Sequence, residues 1–544
     1  MNFITKTHHL IIVTLIAMIT ISACKPKPEI VQLISADALK DKIAGGWAGK
    51  MIGVTYGAPT EFRAQGKTFD DSINWTPKDI RGSMWQDDIY VQLTFMMTMD
   101  KYGIDAPAKK FQEMFAKAGY MLWHANVQAR KNYYDSIFPP ASGSPAFNPH
   151  ADDIDFQIEA DYLGLMCPGL PATASEMADK IGHIMNYGDG VYGGVFIAAL
   201  YTQAYFENDI PTIISNALKS LPAESDYAKM VADVVILHKH YPNNWKAAWS
   251  ELEAKWGVDH FCGAGSDFNI DAKLNGAYIV MGLLYGSGDP VKTLEVSTRC
   301  GQDSDCNPSS AMGVLGVIIG FEKLPPEMKS GFSQMADSIF INTDYSFNKA
   351  VENTYKYAVT FIAENGGKVS GNKITIQKQV PVPATLEVSF PNVVLDKKIS
   401  VFDKEAWAFS GDWKTFQRKG WPGETFYDQS KFAEKPGDAV EITFTGSGIA
   451  IDGNWVKDGG KADVYLDGKF VRTIDTYFFY SNQEHENITL WHITGLPETQ
   501  HIVKLVLNGE KNPAATGSKV FITQATIFKT ASKKSAVAKF SFEK

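Results

Sequence analysis

Two pairs of closely spaced carboxylates mark the positions at which this sequence could support chemistry. Asp303 and Asp305 lie one residue apart, behind Gly301 and ahead of a helix-like run over 309–321. Carboxylates two residues apart in a turn can point to the same side, and hard divalent ions such as Mg²⁺ are bound by carboxylate and water oxygens. The alternative interpretation is a turn that caps the following helix, because Asp at a helix start accepts free backbone N–H groups.

The second pair, Asp87 and Asp88, precedes an apolar-periodic segment that predicts another helix. The helix dipole favours two carboxylates there by a few tenths of a kcal/mol up to about 1 kcal/mol, which is the purely structural interpretation. The functional interpretation is that the same position offers oxygens to a metal ion. If the two helix starts meet, four carboxylates would repel one another unless one or two Mg²⁺ ions neutralise them.

The composition restricts the class of protein and the class of partner. The chain has 544 residues, 45% of them hydrophobic and 21% charged, which is typical of a globular protein with one to three domains. Its formal net charge of −9 does not indicate the basic surface that binds nucleic-acid phosphates, so no nucleic-acid partner is expected. The acidic balance suits a protein that binds cations or neutral polyols.

Residues 1–24 are predicted to be a targeting segment. An apolar run over 10–21 follows a lysine and two histidines, is too short to cross a bilayer comfortably and ends in small residues, as a secretory signal does. Cys24 follows Ile-Ser-Ala, which resembles a bacterial lipobox. We therefore expect Cys24 to be lipidated and to anchor the protein to a membrane in the periplasm or at the cell surface. Plain secretion is the alternative.

The other four cysteines are Cys167, Cys262, Cys300 and Cys306. Disulfides are permitted in an oxidising compartment, and the sequence leaves open whether Cys300 pairs with Cys306. The spacing contains no Cys-x-x-Cys zinc pattern.

The coarse pattern divides the chain into a helical region and a β region. Apolar residues recur at helical spacing through the first two thirds of the chain, which predicts an all-α domain over 25–372. The Val/Thr/Pro-rich residues 373–390 predict a strand and a stiff linker. Short strands then alternate with Gly/Asp/Asn turns, and Asp467-Gly468 predicts a hairpin. The expected fold is therefore multidomain, α then β, with an all-β sandwich over 391–544.

Two further segments carry candidate residues. The stretch 152–161 contains five acids interleaved with apolar residues, which indicates that it is partly buried, and Asp155 lies in it. The glycine-rich segment 187–194 leads into an apolar helix, whose N-terminus could cradle an anion. This second segment lacks the lysine and the spacing of a P-loop.

Three ordered blocks resemble the ADP-ribosylglycohydrolase family, which has an all-helical fold and a binuclear Mg²⁺ centre. The glycine-rich block 45–53, running on to Glu61, resembles the first helix of that family and the Glu that follows it. Residues 86–88 resemble its Thr-Asp-Asp motif, and residues 301–306 resemble its Gly-Gly-Asp-x-Asp-Thr motif. The resemblance implies that the cation ligands are Gln86, Asp87, Asp88, Asp303, Asp305 and Cys306.

The resemblance also implies that Glu61 lies at the substrate as an acid/base or water-positioning group. The further candidate catalytic residues are Asp88, Asp155 and Asp189. The candidate substrate-binding residues are Asn186, Gly188, Gly190 and Tyr192. Gln86 and Cys306 stand where the family has hydroxyl ligands, and a thiol is a poor Mg²⁺ ligand. One metal site is therefore expected to be weak or to take another divalent ion.

A lipoprotein outside the cytoplasm meets glycans, whereas ADP-ribosylated proteins are mostly intracellular. We therefore predict a metal-dependent glycosyl hydrolase that cleaves an N- or O-glycosidic bond of an extracytoplasmic small molecule or glycan. A true ADP-ribosyl hydrolase and a non-catalytic carbohydrate-binding lipoprotein are the two alternatives. The β region resembles galactose-binding-like accessory modules. Four tryptophans could either stack on sugars or belong to its core: Trp413, Trp421, Trp455 and Trp491.

Overall fold

The computed structural model describes residues 30–257, 261–417 and 429–531. Helices fill its first part and antiparallel sheets its second, which confirms the predicted order of α then β. Cys24, the predicted lipidation site, and Trp421 lie outside the described residues. None of the helices within the described ranges is both long enough and apolar enough to cross a bilayer.

The described part of the helical region contains sixteen α-helices around a large apolar core. They are α1 (Ala36–Gly57), α2 (Asp87–Tyr102), α3 (Ala108–Lys117), α4 (His124–Tyr134), α5 (Asp155–Glu159), α6 (Asp161–Leu165), α7 (Pro171–Gly182), α8 (Asp189–Ala204), α9 (Ile210–Ala217), α10 (Asp226–His240), α11 (Trp245–Trp256), α12 (Ala272–Gly286), α13 (Pro290–Arg299), α14 (Cys306–Ile319), α15 (Pro326–Lys329) and α16 (Phe347–Glu364). Short 3₁₀ helices occupy Ala58–Thr60, Pro77–Trp85, Ala141–Gly143, Leu218–Ser220 and Ser330–Gln334.

Helices α1 and α14 run antiparallel with their backbones almost in contact. The glycines that face α14 recur every four residues along α1, at Gly45, Gly49, Gly53 and Gly57. A Cβ atom at Gly53 would lie 2.2 Å from the carbonyl oxygen of Pro308, and one at Gly57 would lie 1.9 Å from that of Ser304. Glycine is therefore required for this approach, which places the end of α1 against the turn that precedes α14.

A small antiparallel sheet closes the helical region and corrects its predicted boundary. Its strands are, in spatial order, β1 (Ile30–Ser35), β3 (Lys373–Lys378) and β2 (Lys368–Ser370). The pairing of β3 with β1 makes residues 373–378 part of the helical domain rather than of the linker.

The extended segment after β3 is fixed to the helical domain. The hydroxyl of Tyr192 donates to the carbonyl oxygen of Thr385 over 2.6 Å. The ring Nε2 of His183 lies 3.0 Å from the carboxylate of Glu387. The predicted stiff linker after β3, residues 379–390, therefore lies along α7 and α8, and we call this segment the strap.

The β region contains two antiparallel sheets, which form the predicted sandwich. The five-stranded sheet has the order β11 (Lys469–Asp475), β10 (Lys461–Leu466), β13 (Thr499–Leu507), β8 (Ala439–Gly446) and β5 (Trp407–Ser410). The six-stranded sheet has the order β12 (His485–Ile493), β9 (Gly448–Trp455), β14 (Val520–Thr530), β7 (Gln429–Ala433) and β6 (Lys414–Gln417), with β4 (Val393–Ser400) also paired to β14. Asp467 and Gly468 both have positive φ angles between β10 and β11, as in a type I′ hairpin.

The tryptophans described in the sandwich are structural. Trp455 and Trp491 are buried, and Trp413 donates its indole N–H to the carbonyl oxygen of Ala439 over 3.0 Å. The sandwich also contacts the helical domain, because the ring of Tyr480 stacks on that of Tyr134 with centroids 3.6 Å apart. Trp455 and Trp491 are therefore core residues, and the half-buried Trp413 packs against the core.

Candidate metal centre and catalytic cavity

The α1–α14 pair brings Glu61 to the acidic turn 303–305. The backbone N–H of Phe62 donates to the carbonyl oxygen of Gln302 over 2.9 Å, and the hydroxyls of Thr60 and Ser304 lie 2.9 Å apart. These bonds fasten the loop after α1 to the turn before α14. The loop and the turn therefore fix the Glu61 carboxylate in position relative to the carboxylates of Asp303 and Asp305.

Helix α2 begins at Asp87, and the side chains of Asp87 and Asp88 lie in different surroundings. Asp87 lines a cavity, whereas Asp88 is fully buried. The thiol of Cys306 donates to the Asp88 carboxylate over 3.1 Å, and Lys50 Nζ lies 3.5 Å from the other oxygen of that carboxylate. Lys50 is itself fully buried and donates to Asp161 over 2.9 Å. Asp88 is thus held between a thiol and an ammonium group.

Two overlapping groups of ligand atoms result, and Asp305 belongs to both. The first consists of Glu61, Asp303 and Asp305, and the second of Asp88, Asp305 and Cys306; within each group the atoms lie within 4.8 Å of one another. Oxygen Oδ1 of Asp303 is buried and has no hydrogen-bond partner among the described residues.

A hard cation fits the first group, because all its donors are carboxylates and one buried oxygen is unsatisfied. The second group also contains a buried oxygen without a hydrogen-bond partner, Oδ1 of Asp88, but it fits such an ion less well. Its thiol is a poor Mg²⁺ ligand, and the Lys50 ammonium already faces Asp88.

Burial and mutual repulsion raise the pKa of the carboxyl groups at this centre. Burial and then the Asp88 carboxylate raise the pKa of Asp87 to about 7. Burial and the Glu61 carboxylate raise that of Asp303 to about 8. Desolvation by nearby protein, followed by the charge of Asp305, raises the pKa of Glu61 to about 8, although this residue is exposed at the rim. The centre therefore holds protons near neutral pH where no cation replaces them.

Glu61, Asp303 and Cys306 of these groups line one cavity of about 370 Å³. Its acidic and polar lining consists of Glu61, Gln86, Asp87, Asp155, Asp303 and Cys306. Its ring-bearing lining consists of Phe62, Trp85, Trp123, His124 and Phe268. Trp85 and Trp123 are 58% and 44% exposed, so their indole faces are accessible at the rim.

Asp155 brings a further carboxylate to the cavity. It begins helix α5 and accepts hydrogen bonds from the backbone N–H groups of Asn126 and Ala125, at 2.9 and 3.3 Å. Burial, and then the charge of Asp153, raises the pKa of Asp155 to about 8. The acid-rich stretch 152–161 is buried over most of its length, which confirms the prediction that the segment is not a solvated face.

The family model described as ADP-ribosylglycohydrolase matches residues 35–351, more than half of the chain. The chain belongs to the ADP-ribosylglycohydrolase family. A solved structure entitled "ADP-ribosylglycohydrolase-related protein complex" is 13% identical and covers 59% of this chain and 99% of its own, with a TM-score of 0.42. A two-domain esterase active on acetylated mannans is 14% identical and covers 37% of this chain and 52% of its own, with a TM-score of 0.21.

Among curated proteins, an A type blood alpha-D-galactosamine galactosaminidase from Flavonifractor plautii is 29% identical over 100 residues. Those residues are 18% of this chain and 8% of that protein. This ADP-ribosylglycohydrolase family member therefore spans a small part of the length of that relative.

In this ADP-ribosylglycohydrolase family member, the predicted substrate-binding segment does not line the cavity. The amide of Asn186 accepts from the backbone N–H of Phe156 and donates to the carbonyl oxygen of Asp153, at 3.0 and 2.8 Å. Gly188 and Gly190 belong to the turn beside it, and Tyr192 binds the strap. These polar groups already bond to protein, so they position the segment that carries Asp155 instead of meeting a ligand directly.

Asp189 also lies outside the cavity lining. Its carboxylate accepts from the backbone N–H of Tyr227 over 3.1 Å and lies 3.6 Å from Lys273 Nζ. Lys273 pairs with Asp271 as well, over 2.8 Å. The structure thus separates Asp189 from Glu61 and leaves Asp155 as the second acid/base candidate.

Sequence reasoning missed Lys50 and the rings of the cavity wall. Lys50 is the one charged residue in the glycine-rich, largely apolar stretch 43–54 of α1, and this was a signal, because such a charge is buried only with a partner. No local pattern marked the rings, which come from separate loops. The open question about the cysteines is settled: Cys300 and Cys306 are both free thiols.

Proposed function

We propose that the protein is a metal-dependent glycohydrolase that cleaves an N- or O-glycosidic bond of an extracytoplasmic glycoside. The observation that supports this most is the convergence of Glu61, Asp303 and Asp305 at a cavity with accessible indole rings. Carboxylates and a cation suit the hydroxyls of a sugar, and indole faces suit its apolar side. Anchoring through a lipidated Cys24 is part of the same proposal. The short galactosaminidase match is compatible with a sugar substrate but spans too little of that enzyme to transfer its specificity.

Glu61, Asp303 and Asp305 would hold Mg²⁺ or another hard divalent ion, with Gln86 and Asp87 beside them at the cavity. Asp88, Asp305 and Cys306 would form a second, weaker position. When bound, the ion supplies positive charge that orients sugar hydroxyls and stabilises developing negative charge.

Asp155 and Glu61 would supply proton transfer. Asp155, whose pKa is about 8, holds a proton at neutral pH and can donate it to the leaving group. Glu61 loses its proton more readily when positive charge lies beside it, and can then accept a proton from the attacking water. The sugar passes through an oxocarbenium-like state, as in other two-carboxylate glycosidases.

The test is sugar release from a panel of glycosides and from ADP-ribosylated substrates, with Mg²⁺ or Mn²⁺ and with a chelator. We expect metal-dependent release from glycosides that Asp303→Asn abolishes and that Glu61→Gln slows by about 10²–10⁴. Asp70→Asn is the matched control, since the Asp70 side chain is 80% exposed and pairs with Lys246.

The panel also separates the alternatives. Release of ADP-ribose alone would replace the glycosidase proposal with an ADP-ribosyl hydrolase. Binding of glycans without release of any product, with or without metal, would favour a non-catalytic carbohydrate-binding protein.

A further inference from the structure

A second cluster of ligating side chains lies outside the carboxylate centre. Nδ1 of His124, Nδ1 of His150, a carboxylate oxygen of Asp153 and Sγ of Cys262 all lie within 4.8 Å of one another. His150 Nδ1 lies 2.8 Å from Asp153 Oδ2 and 3.0 Å from Cys262 Sγ, and His124 Nδ1 lies 3.5 Å from the same Asp153 oxygen. The catalytic proposal uses none of these four residues as a ligand or a proton donor.

The arrangement is not that of a cysteine nucleophile with its base. Such a relay needs the thiol at one imidazole nitrogen and the orienting carboxylate at the other. Here the thiol of Cys262 and the carboxylate of Asp153 both approach Nδ1 of His150. Four ligand atoms within 4.8 Å of one another, two of them at the same imidazole nitrogen, do not form such a relay and are close enough to surround a cation.

We propose that His124, His150, Asp153 and Cys262 form a binding site for Zn²⁺ or a similar borderline-soft transition-metal ion. Two imidazoles, one thiolate and one carboxylate are ligands that Zn²⁺ accepts, whereas Mg²⁺ disfavours sulfur and nitrogen. A tetrahedral zinc ion holds its ligand atoms about 3.3–3.6 Å apart, as follows from bond lengths of about 2.0–2.3 Å. The distances from His150 Nδ1 to Asp153 and Cys262, 2.8 and 3.0 Å, would need a slight expansion, and the 3.5 Å between His124 and Asp153 already falls in this range.

The four ligands come from three separate segments, so the ion would fasten them together. His124 begins α4, His150 and Asp153 precede α5, and Cys262 lies between α11 and α12. His124 has a positive φ of 43°, a conformation that is costly for a residue other than glycine and that is found where surroundings impose it. Four protein ligands leave no open position, which is typical of structural zinc.

The segment that carries Cys262 also contacts the β-sandwich. The ring of Phe261 stacks on Phe528 of β14, with centroids 4.6 Å apart, and on Phe390 of the strap at 4.2 Å. Ala264 packs with Ala450 and Phe528. A metal at Cys262 would therefore fix the surface on which the sandwich docks. This inference does not depend on the proposed glycohydrolase activity.

The test uses the intact mature chain, stripped with a chelator and reloaded with Zn²⁺ or Co²⁺ in the presence of excess Mg²⁺. We expect one equivalent of zinc to be retained and cobalt to give the charge-transfer absorption of a thiolate ligand. Cysteine alkylation mapped by mass spectrometry should show that Zn²⁺ slows modification of Cys262 at least tenfold. This last measurement needs no variant, so a misfolded mutant does not compromise it.

Variants locate the ion. Cys262→Ser should remove the cobalt–thiolate absorption, and Asp303→Asn should retain it. An absorption that persists in Cys262→Ser and disappears in Cys306→Ser would place the metal at the carboxylate centre and overturn the proposal. Failure of the unmodified chain to retain zinc, or equal alkylation of Cys262 with and without zinc, would overturn it as well.

Discussion

Replacement of Lys50 by methionine tests whether a fixed ammonium group balances the acidic centre. The Lys50 side chain is fully buried, lies 2.9 Å from Asp161 and 3.5 Å from Asp88, and also donates to the carbonyl oxygen of Ile158 over 2.9 Å. Burial disfavours its charged form, but the Asp161 and Asp88 carboxylates outweigh burial and raise the pKa of Lys50. Methionine retains most of the length of the side chain and removes the charge.

Removal of one partner from a buried ion pair leaves an uncompensated charge, which costs about 3–5 kcal/mol. For a domain of a few hundred residues this corresponds to a loss of roughly 5–15 °C in Tm. The measurement is thermal unfolding in a chelator, followed by circular dichroism. The matched control is Lys40→Met on the same helix, since Lys40 lies 2.9 Å from Glu352 and the two side chains are 42% and 65% exposed. The control should lose less than about 1 kcal/mol.

A divalent cation should partly restore the Lys50→Met variant, because it can supply positive charge to Asp88 and Asp305. An ion present at 100 times its Kd stabilises a folded protein by about 2.7 kcal/mol. We therefore expect Mn²⁺ to raise the Tm of Lys50→Met more than that of the wild type. The reasoning is refuted if Lys50→Met melts within about 2 °C of the wild type in chelator, or if Lys40→Met loses as much stability.

Two further predictions concern the packing around the site. Gly53→Ala should destabilise the helical domain by about 1–3 kcal/mol or more, because its methyl group would lie 2.2 Å from the carbonyl oxygen of Pro308. The control is Gly82→Ala, whose methyl group would make only ordinary van der Waals contact and should change the unfolding free energy little. Burial lowers the pKa of His183, but its hydrogen bonds to the Glu387 carboxylate and the Asp179 carbonyl oxygen, together with the charges of Glu387 and Asp179, outweigh burial and raise it. The stabilisation from the His183–Glu387 pair should be complete below the ordinary histidine pKa and should disappear as pH rises through the raised pKa of His183. The Tm difference between the wild type and His183→Gln should therefore vanish at alkaline pH.

The parts of the fold that follow from local patterns could be predicted from the sequence. Local sequence was sufficient to predict the helical periodicity, the Asp467-Gly468 hairpin and the order of α then β, because each depends on neighbouring residues. The pairing of β1 with β3 was not, since Ile34 and Ile374 are 340 positions apart and neither strand requires the other by its local sequence. The boundary of the helical domain was therefore placed too early.

The candidate site likewise contains features that the sequence could predict and features that depend on contacts between distant residues. Glu61 and the turn 303–305 could be placed together because the family resemblance assigns both to one centre. Asn186 was expected at the ligand from its position beside a glycine-rich turn. Its amide instead holds the backbone at Phe156 and Asp153, and no property of the isolated segment reveals which of its polar groups are already satisfied.

The thiol of Cys306 and the buried ammonium of Lys50 can be explained together in physical terms. A thiol at Cys306 weakens the second cation position, because sulfur is a poor ligand for a hard ion. The buried charge of Asp88 would then lack a counter-ion, and a buried carboxylate without one is costly. Lys50 supplies that counter-charge from the neighbouring helix, 3.5 Å away, and is itself balanced by Asp161. The proposed centre would therefore be asymmetric, with an exchangeable cation among Glu61, Asp303 and Asp305 and the covalently fixed ammonium of Lys50 beside Asp88. This asymmetry would place the exchangeable charge next to Glu61, the residue proposed to meet the substrate.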